Sequence, residues 1–85
     1  MKAIIHINLK PGVLDPQGRA IVRSLNDLGF DTVKDARQGK VIELDLNVGD
    51  DPAARAKAED DVKSMCDKLL ANLVIESYRI DLEDQ

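Results

Sequence analysis

Apolar and polar positions alternate along this chain in two rhythms. Residues 2–9, KAIIHINL, place Ala3, Ile5, Ile7 and Leu9 on one face and Ile4, His6 and Asn8 on the other, a period of two that predicts a strand. A Lys-Pro-Gly-Val turn follows. Asp15 then suits a helix N-cap, and Pro16 suits the first helical position, where an N–H has no intrahelical partner in any case. Ile21, Val22, Leu25 and Leu28 recur at helical spacing and Gly29 offers a left-handed stop, so a first helix is predicted over roughly 15–28.

The stretch DTVKDARQG, 31–39, reads as a short polar strand ending in a Gln38-Gly39 turn. KVIELDLNV, 40–48, is the clearest strand: Ile42, Leu44, Leu46 and Val48 alternate with Val41, Glu43, Asp45 and Asn47. Asp51 and Pro52 start a second helix in the manner of the first, and Ala54, Ala58, Val62, Met65, Leu69 and Leu73 form its stripe. VIESYRIDL, 74–82, closes as a strand with Val74, Glu76, Tyr78, Ile80 and Leu82 on one side. The order β-α-β-β-α-β predicts one α+β domain over 1–85. Its expected form is a ferredoxin-like two-layer sandwich, a four-stranded antiparallel sheet with two helices on one face. The other face carries His6, Asn8, Glu43, Asp45, Ser77 and Arg79 among Ile4, Val41 and Ile75, and reads either as a partner surface or as ordinary wet sheet.

Composition narrows the function. With 85 residues the chain is near the lower end of what builds its own core, so burial in an oligomer would help it. Phe30 and Tyr78 are its only aromatic residues, too few for a base-stacking RNA sheet. A formal charge of −4 without a Lys/Arg cluster lacks the footprint of a nucleic-acid binder. A single cysteine excludes an internal disulfide and a CxxC site, and the N-terminal apolar run is too short for a signal peptide or membrane span. The expected location is the cytoplasm.

Candidate chemistry is sparse. The loop into the first helix resembles an anion cradle only superficially, because Pro16 removes an N–H donor and Asp15 repels an anion; a capped turn explains it better. His6 has no Ser, Cys or carboxylate at a motif spacing, and Cys66 has only Lys68 to lower its pKa. Asp50, Asp51, Asp60 and Asp61 do not follow a calcium-loop spacing and read as a solvated stretch. Arg37 and Lys40 flank the Gln38-Gly39 turn, where two cations either grip a partner's anionic group or keep a loop tip soluble. No catalytic residue, metal ligand or cofactor site is expected, and the residues read as a binding or assembly module. Two rival readings are a small-molecule regulatory module and a small acyl- or phospho-hydrolase on the same fold. Both want a glycine-rich loop that this chain has only weakly.

Three stretches together go further. VLDPQGRAI, VKDARQGKVIEL and MCDKLLANLVIESYRI, in this order and over nearly the whole chain, resemble the PurS family, the small subunit of phosphoribosylformylglycinamidine synthase. That resemblance implies a non-catalytic subunit in purine biosynthesis, a dimer or sometimes a tetramer. Its expected partners are a large ATP-dependent synthetase subunit, PurL, and a glutaminase subunit, PurQ, with ATP and Mg²⁺ used by the complex and not bound by this subunit. Asp15, Gln17, Gly18, Arg37, Lys40, Asn72 and Tyr78 are the expected assembly residues. Asn72 has the alternative of a helix C-terminal residue, and Tyr78 that of a core or dimer aromatic.

Overall fold

A computed structural model describes residues 1–49 and 51–83; Asp50, expected in the acidic stretch, lies outside the described residues. Strand β1, Lys2–Leu9, leads to helix α1, Pro16–Asp27, then β2, Lys40–Asp45, and α2, Pro52–Met65. A π-helical turn, Cys66–Leu70, and strand β3, Glu76–Glu83, complete the chain. Among the described residues the sheet has three antiparallel strands in the order β2-β1-β3.

The expected four-stranded sheet is therefore corrected to a three-stranded one, in the order β-α-β-α-β. Residues 33–39 form no strand. The physical reason lies in their composition: Val33 and Ala36 are the segment's only apolar side chains, so it has no face to lay on a sheet. Its polar backbone and side chains bind the α1 loop instead.

Register explains the core. Ile5 of β1 stands opposite Ile42 of β2 and Ile80 of β3, and Ala3 opposite Leu44 and Leu82. One face thus gathers Ala3, Ile5 and Ile7 from the central strand, and Val62 and Cys66 above them complete the core. These five residues are essentially inaccessible to water. Helix α2 leans toward β3, where Arg55 Nη2 donates to the Leu82 carbonyl at 3.0 Å. Ile42, Leu44 and Leu46 on β2 and its continuation stay half-buried.

The α2 stripe also departs from expectation. Met65 and Leu69 are exposed while Cys66 is buried and Leu70 half-buried. The buried row runs by ordinary helical steps of four from 58 through 62 to 66; beyond it the turn widens, the Ala71 N–H donating to the Cys66 carbonyl at 3.0 Å, five residues back, and leads to half-buried Leu70.

Helix α1 keeps its expected signals. Asp15 caps it, and Gly29, at φ +101°, ends it in a Schellman motif with Gly29 N–H to Asn26 O at 3.0 Å and Phe30 N–H to Leu25 O at 2.9 Å. Its placement differs from the sandwich. Of the expected pair, only α2 covers the sheet; α1 stands clear of it, and Ile21 and Leu28 are exposed. An eight-residue strand is about 27 Å long, yet the molecule extends 51 × 28 × 14 Å. Its radius of gyration is 16.8 Å, against about 12 Å for a compact domain of this length.

Candidate functional site

The root of the α1 arm brings most of the expected assembly residues together. Asp15, Pro16 and Gln17 from the helix start, Gln38, Gly39 and Lys40 from the start of β2, and Ile7, Leu9 and Glu76 from the sheet line one cleft of about 560 Å³. Asp15 is its buried centre. Oδ1 accepts the Gly18 N–H at 2.8 Å, satisfying an orphan donor of the first turn, and Oδ2 accepts the Gln38 N–H at 2.9 Å from the returning segment. These two N–H groups, with the Arg37 guanidinium nearby, hold its carboxyl below the usual carboxylate range.

Gly18 is required by contact. A Cβ built on it would fall 2.1 Å from the Ala36 carbonyl oxygen, so only glycine lets the returning segment lie against α1. Arg37 closes the same junction, with Nη1 donating to the Val13 carbonyl at 3.0 Å. Gly39 fits for a like reason, since a Cβ there would meet the Ile7 carbonyl oxygen at 2.7 Å.

Lys40 joins this root to β3. Its Nζ lies 3.3 Å from Oε2 of Glu76, whose Oε1 accepts the Asn72 N–H at 2.7 Å. The Asn72 N–H and the Lys40 charge outweigh the cost of burial and leave the Glu76 carboxyl lowered. Asn72 itself stops the chain with its Oδ1 on the Val74 N–H at 3.1 Å. Lys10 Nζ binds the same turn through the Leu73 carbonyl at 2.6 Å.

Asp15, Gln17, Gly18, Arg37 and Lys40 are thus gathered in one place, and Asn72 is linked to them through Glu76. Tyr78 stands apart: its hydroxyl donates to Asp67 Oδ1 at 2.9 Å, which raises the phenol pKa. Sequence reasoning placed Gln38 and Glu76 only within the expected Arg37–Lys40 and Asn72–Tyr78 segments, without a role of their own, and missed Lys10. A carboxylate in register with the apolar residues of the last strand was the available signal for Glu76.

The cleft's ionisable groups are spent on internal partners, and this arrangement shapes chain rather than activates a nucleophile. Cys66 is buried beside Asp67, and both effects push its thiol pKa up, away from reactivity. Among the described residues no group of three or more His, Cys, Asp or Glu is placed to hold a metal ion. No helix among them is long and apolar enough to cross a membrane.

The family model for PurS, phosphoribosylformylglycinamidine (FGAM) synthase, matches residues 2–84. The chain belongs to the PurS family. It is 45% identical over 78 residues to the PurS subunit of FGAM synthase from Synechocystis, covering 92% of this chain and 74% of that one. The crystal structure of Methanocaldococcus jannaschii PurS superposes with a TM-score of 0.85 at 43% identity, over 99% of this chain and 96% of that one. A chain in the structure of PurLQS from Thermotoga maritima superposes with a TM-score of 0.79 at 35% identity, over 94% of this chain and 93% of that one. The motifs that carried the resemblance have a physical basis here. The Asp15–Gly18 run of PurS character is the capped, closely approached root of α1, and the Arg37–Lys40 run is its returning half.

Proposed function

We propose that the chain is the small subunit of an FGAM synthase complex in purine biosynthesis. It bridges a PurL-like ATP-dependent synthetase and a PurQ-like glutaminase, so that ammonia released from glutamine reaches phosphoribosylformylglycinamide without escaping to water. The observation that carries this reading is the similarity, over nearly its full length, to a chain of the three-component PurLQS structure. The internal partners of Asp15, Arg37, Lys40 and Glu76 at the α1 root support a non-catalytic role. The subunit acts in the cytoplasm as a dimer, and the ATP and Mg²⁺ of the reaction are held by the synthetase. Gln17 and Lys40, exposed at the cleft rim, face the other subunits, while Asp15, Gly18 and Arg37 fix the shape that presents them.

Reconstitution tests it. Synthetase and glutaminase subunits are assayed with and without this chain, using either glutamine or ammonium as nitrogen donor. Glutamine-driven product formation is expected to depend on the chain, and ammonium-driven formation much less. Equal glutamine-driven rates with and without the chain refute the reading.

A further inference from the structure

A second cavity lies on the arm itself, away from its root. It has a volume of about 560 Å³ and opens between α1 and the returning segment, with Arg19, Arg23, Asn26 and Asp27 on one wall and Lys34 and Asp35 on the other. At about 100° per helical residue, Arg19, Arg23 and Asn26 fall on the side of α1 turned from Ile21, Leu25 and Leu28. A cover on that apolar stripe therefore leaves this cavity accessible.

Its cations stand out from the others in the chain. Eight of the twelve Lys and Arg side chains have a hydrogen-bond or ion-pair partner. Among the described residues the other four, Arg19, Arg23, Lys34 and Lys68, have none, and three of these four line this one cavity. Helix α2 shows the ordinary alternative, with Lys57 paired to Asp61 and Glu59 to Lys63, each four residues apart. On α1 the same spacing sets Arg19 against Arg23, like charges about 5–6 Å apart at Cβ, which destabilise a helix left to itself. Lys34 adds a third positive charge from the opposite wall. An anion held between them removes the repulsion.

The rest of the lining selects the anion. Three cations suit a phosphate dianion better than a single carboxylate, and the guanidinium fork matches phosphate oxygens. Asp27 and Asp35 share the cavity and would repel a bare ion, although Asp35 Oδ1 is already engaged by the Ala36 N–H at 2.9 Å. A ligand with hydroxyl donors beside its phosphate turns Asp27 and the Asn26 amide into acceptors instead. The volume lies within the range of small-molecule pockets, about 300–1,000 Å³. Both walls are preset, because the bonds from Gln38 to Asp15 and from Arg37 to Val13 join the two legs at the root, so little ordering opposes binding. We propose that the arm carries a site for a small phosphate monoester bearing hydroxyl groups, of the sugar-phosphate class. Arg19, Arg23 and Lys34 hold the phosphate, Asn26 and Asp27 take the hydroxyls, and the bound ester clamps the two legs of the arm together.

Isothermal titration calorimetry of the full chain at low salt tests this with ribose 5-phosphate, inorganic phosphate and ribose as probes. Ribose 5-phosphate is expected to bind saturably, about tenfold tighter than inorganic phosphate, and ribose not at all. Its affinity is expected to fall about tenfold in Arg23→Gln and in Lys34→Gln, and to hold in Lys68→Gln, which removes the same charge away from the cavity. All three positions are exposed, and circular dichroism confirms that each variant folds. Absence of saturable ribose 5-phosphate binding, affinity kept in both cavity variants, or an equal loss in Lys68→Gln overturns the inference. Inorganic phosphate binding as tightly as the ester overturns it in favour of an unspecific anion site. Neither result touches the subunit assignment, which glutamine-driven reconstitution reads separately.

Discussion

Gly18→Ala is the sharpest probe of the α1 root, because two effects of opposite sign meet there. At an open helical position, glycine is about 0.5–1 kcal/mol worse than alanine, so the substitution would stabilise. At position 18 the new Cβ would lie 2.1 Å from the Ala36 carbonyl oxygen and 3.1 Å from Asp15 Cγ. No real Cβ sits so close to backbone, so the returning segment must shift by about 1 Å, which strains the 2.9 Å bond from Gln38 to Asp15. Overpacking of this kind costs about 1–3 kcal/mol and outweighs the propensity gain. The net expectation is a loss of about 1–2 kcal/mol, or a Tm lower by about 4–16 °C for a domain of this size. The assay is thermal unfolding by circular dichroism at one fixed protein concentration, since any self-association would shift the midpoint. Ala20→Gly, at an exposed position of the same helix, is the comparison and loses about 1 kcal/mol by propensity alone. Both variants are therefore expected to unfold earlier than the parent. A Gly18→Ala protein as stable as the parent, or more so, refutes the close-contact account.

Acid should weaken the same root. Asp15 and Glu76 both have lowered carboxyl pKa values in the folded state, so their contribution is complete above the ordinary carboxylate range, about 4, and is lost as pH falls below it toward the folded values. Tm is expected to be level near neutrality and to fall below about pH 4, less steeply in Asp15→Asn than in the parent; parallel acid profiles for the two proteins contradict this. In the core, Val62→Ala removes two methyl groups from a site with no solvent access and is expected to cost about 2 kcal/mol by denaturant titration, while a shift under about 0.5 kcal/mol argues against the packing described.

What the sequence disclosed was what short-range physics controls. Asp15-Pro16 and Asp51-Pro52 marked helix starts because a cap acts within three residues, and both aspartates accept first-turn N–H groups as expected. Strands β1 and β3 were legible through their alternation, as was the Gly29 stop. The polar stretch 31–39 was misread because a chain segment bracketed by turns looks like a strand until its partner is known; its partner is the α1 loop. The apolar stripe of α1 was equally visible, but nothing local says whether a helix serves its own sheet or another. The buried row was hidden for a similar reason, since steps of three and of four from Val62 both fit a helix and only packing chooses Cys66 over Met65. At the α1 root, Asp15, Gly18 and Arg37 were legible through the family resemblance, but Glu76 needed the β3 register that places it beside Lys40.

The open sheet has a colloidal consequence. Strands β2 and β3 each leave an outer row of backbone donors and acceptors, the template on which sheets of separate molecules stack. Acidic residues outnumber basic ones on both border strands, Glu43 and Asp45 against Lys40 on β2 and Glu76, Asp81 and Glu83 against Arg79 on β3, so borders of approaching molecules carry like net charge at neutral pH. With a net charge of −4 at pH 7 and an isoelectric point near 4.8, that repulsion fades as the medium is acidified. The borders are held soluble by charge, and mild acid is where they become adhesive.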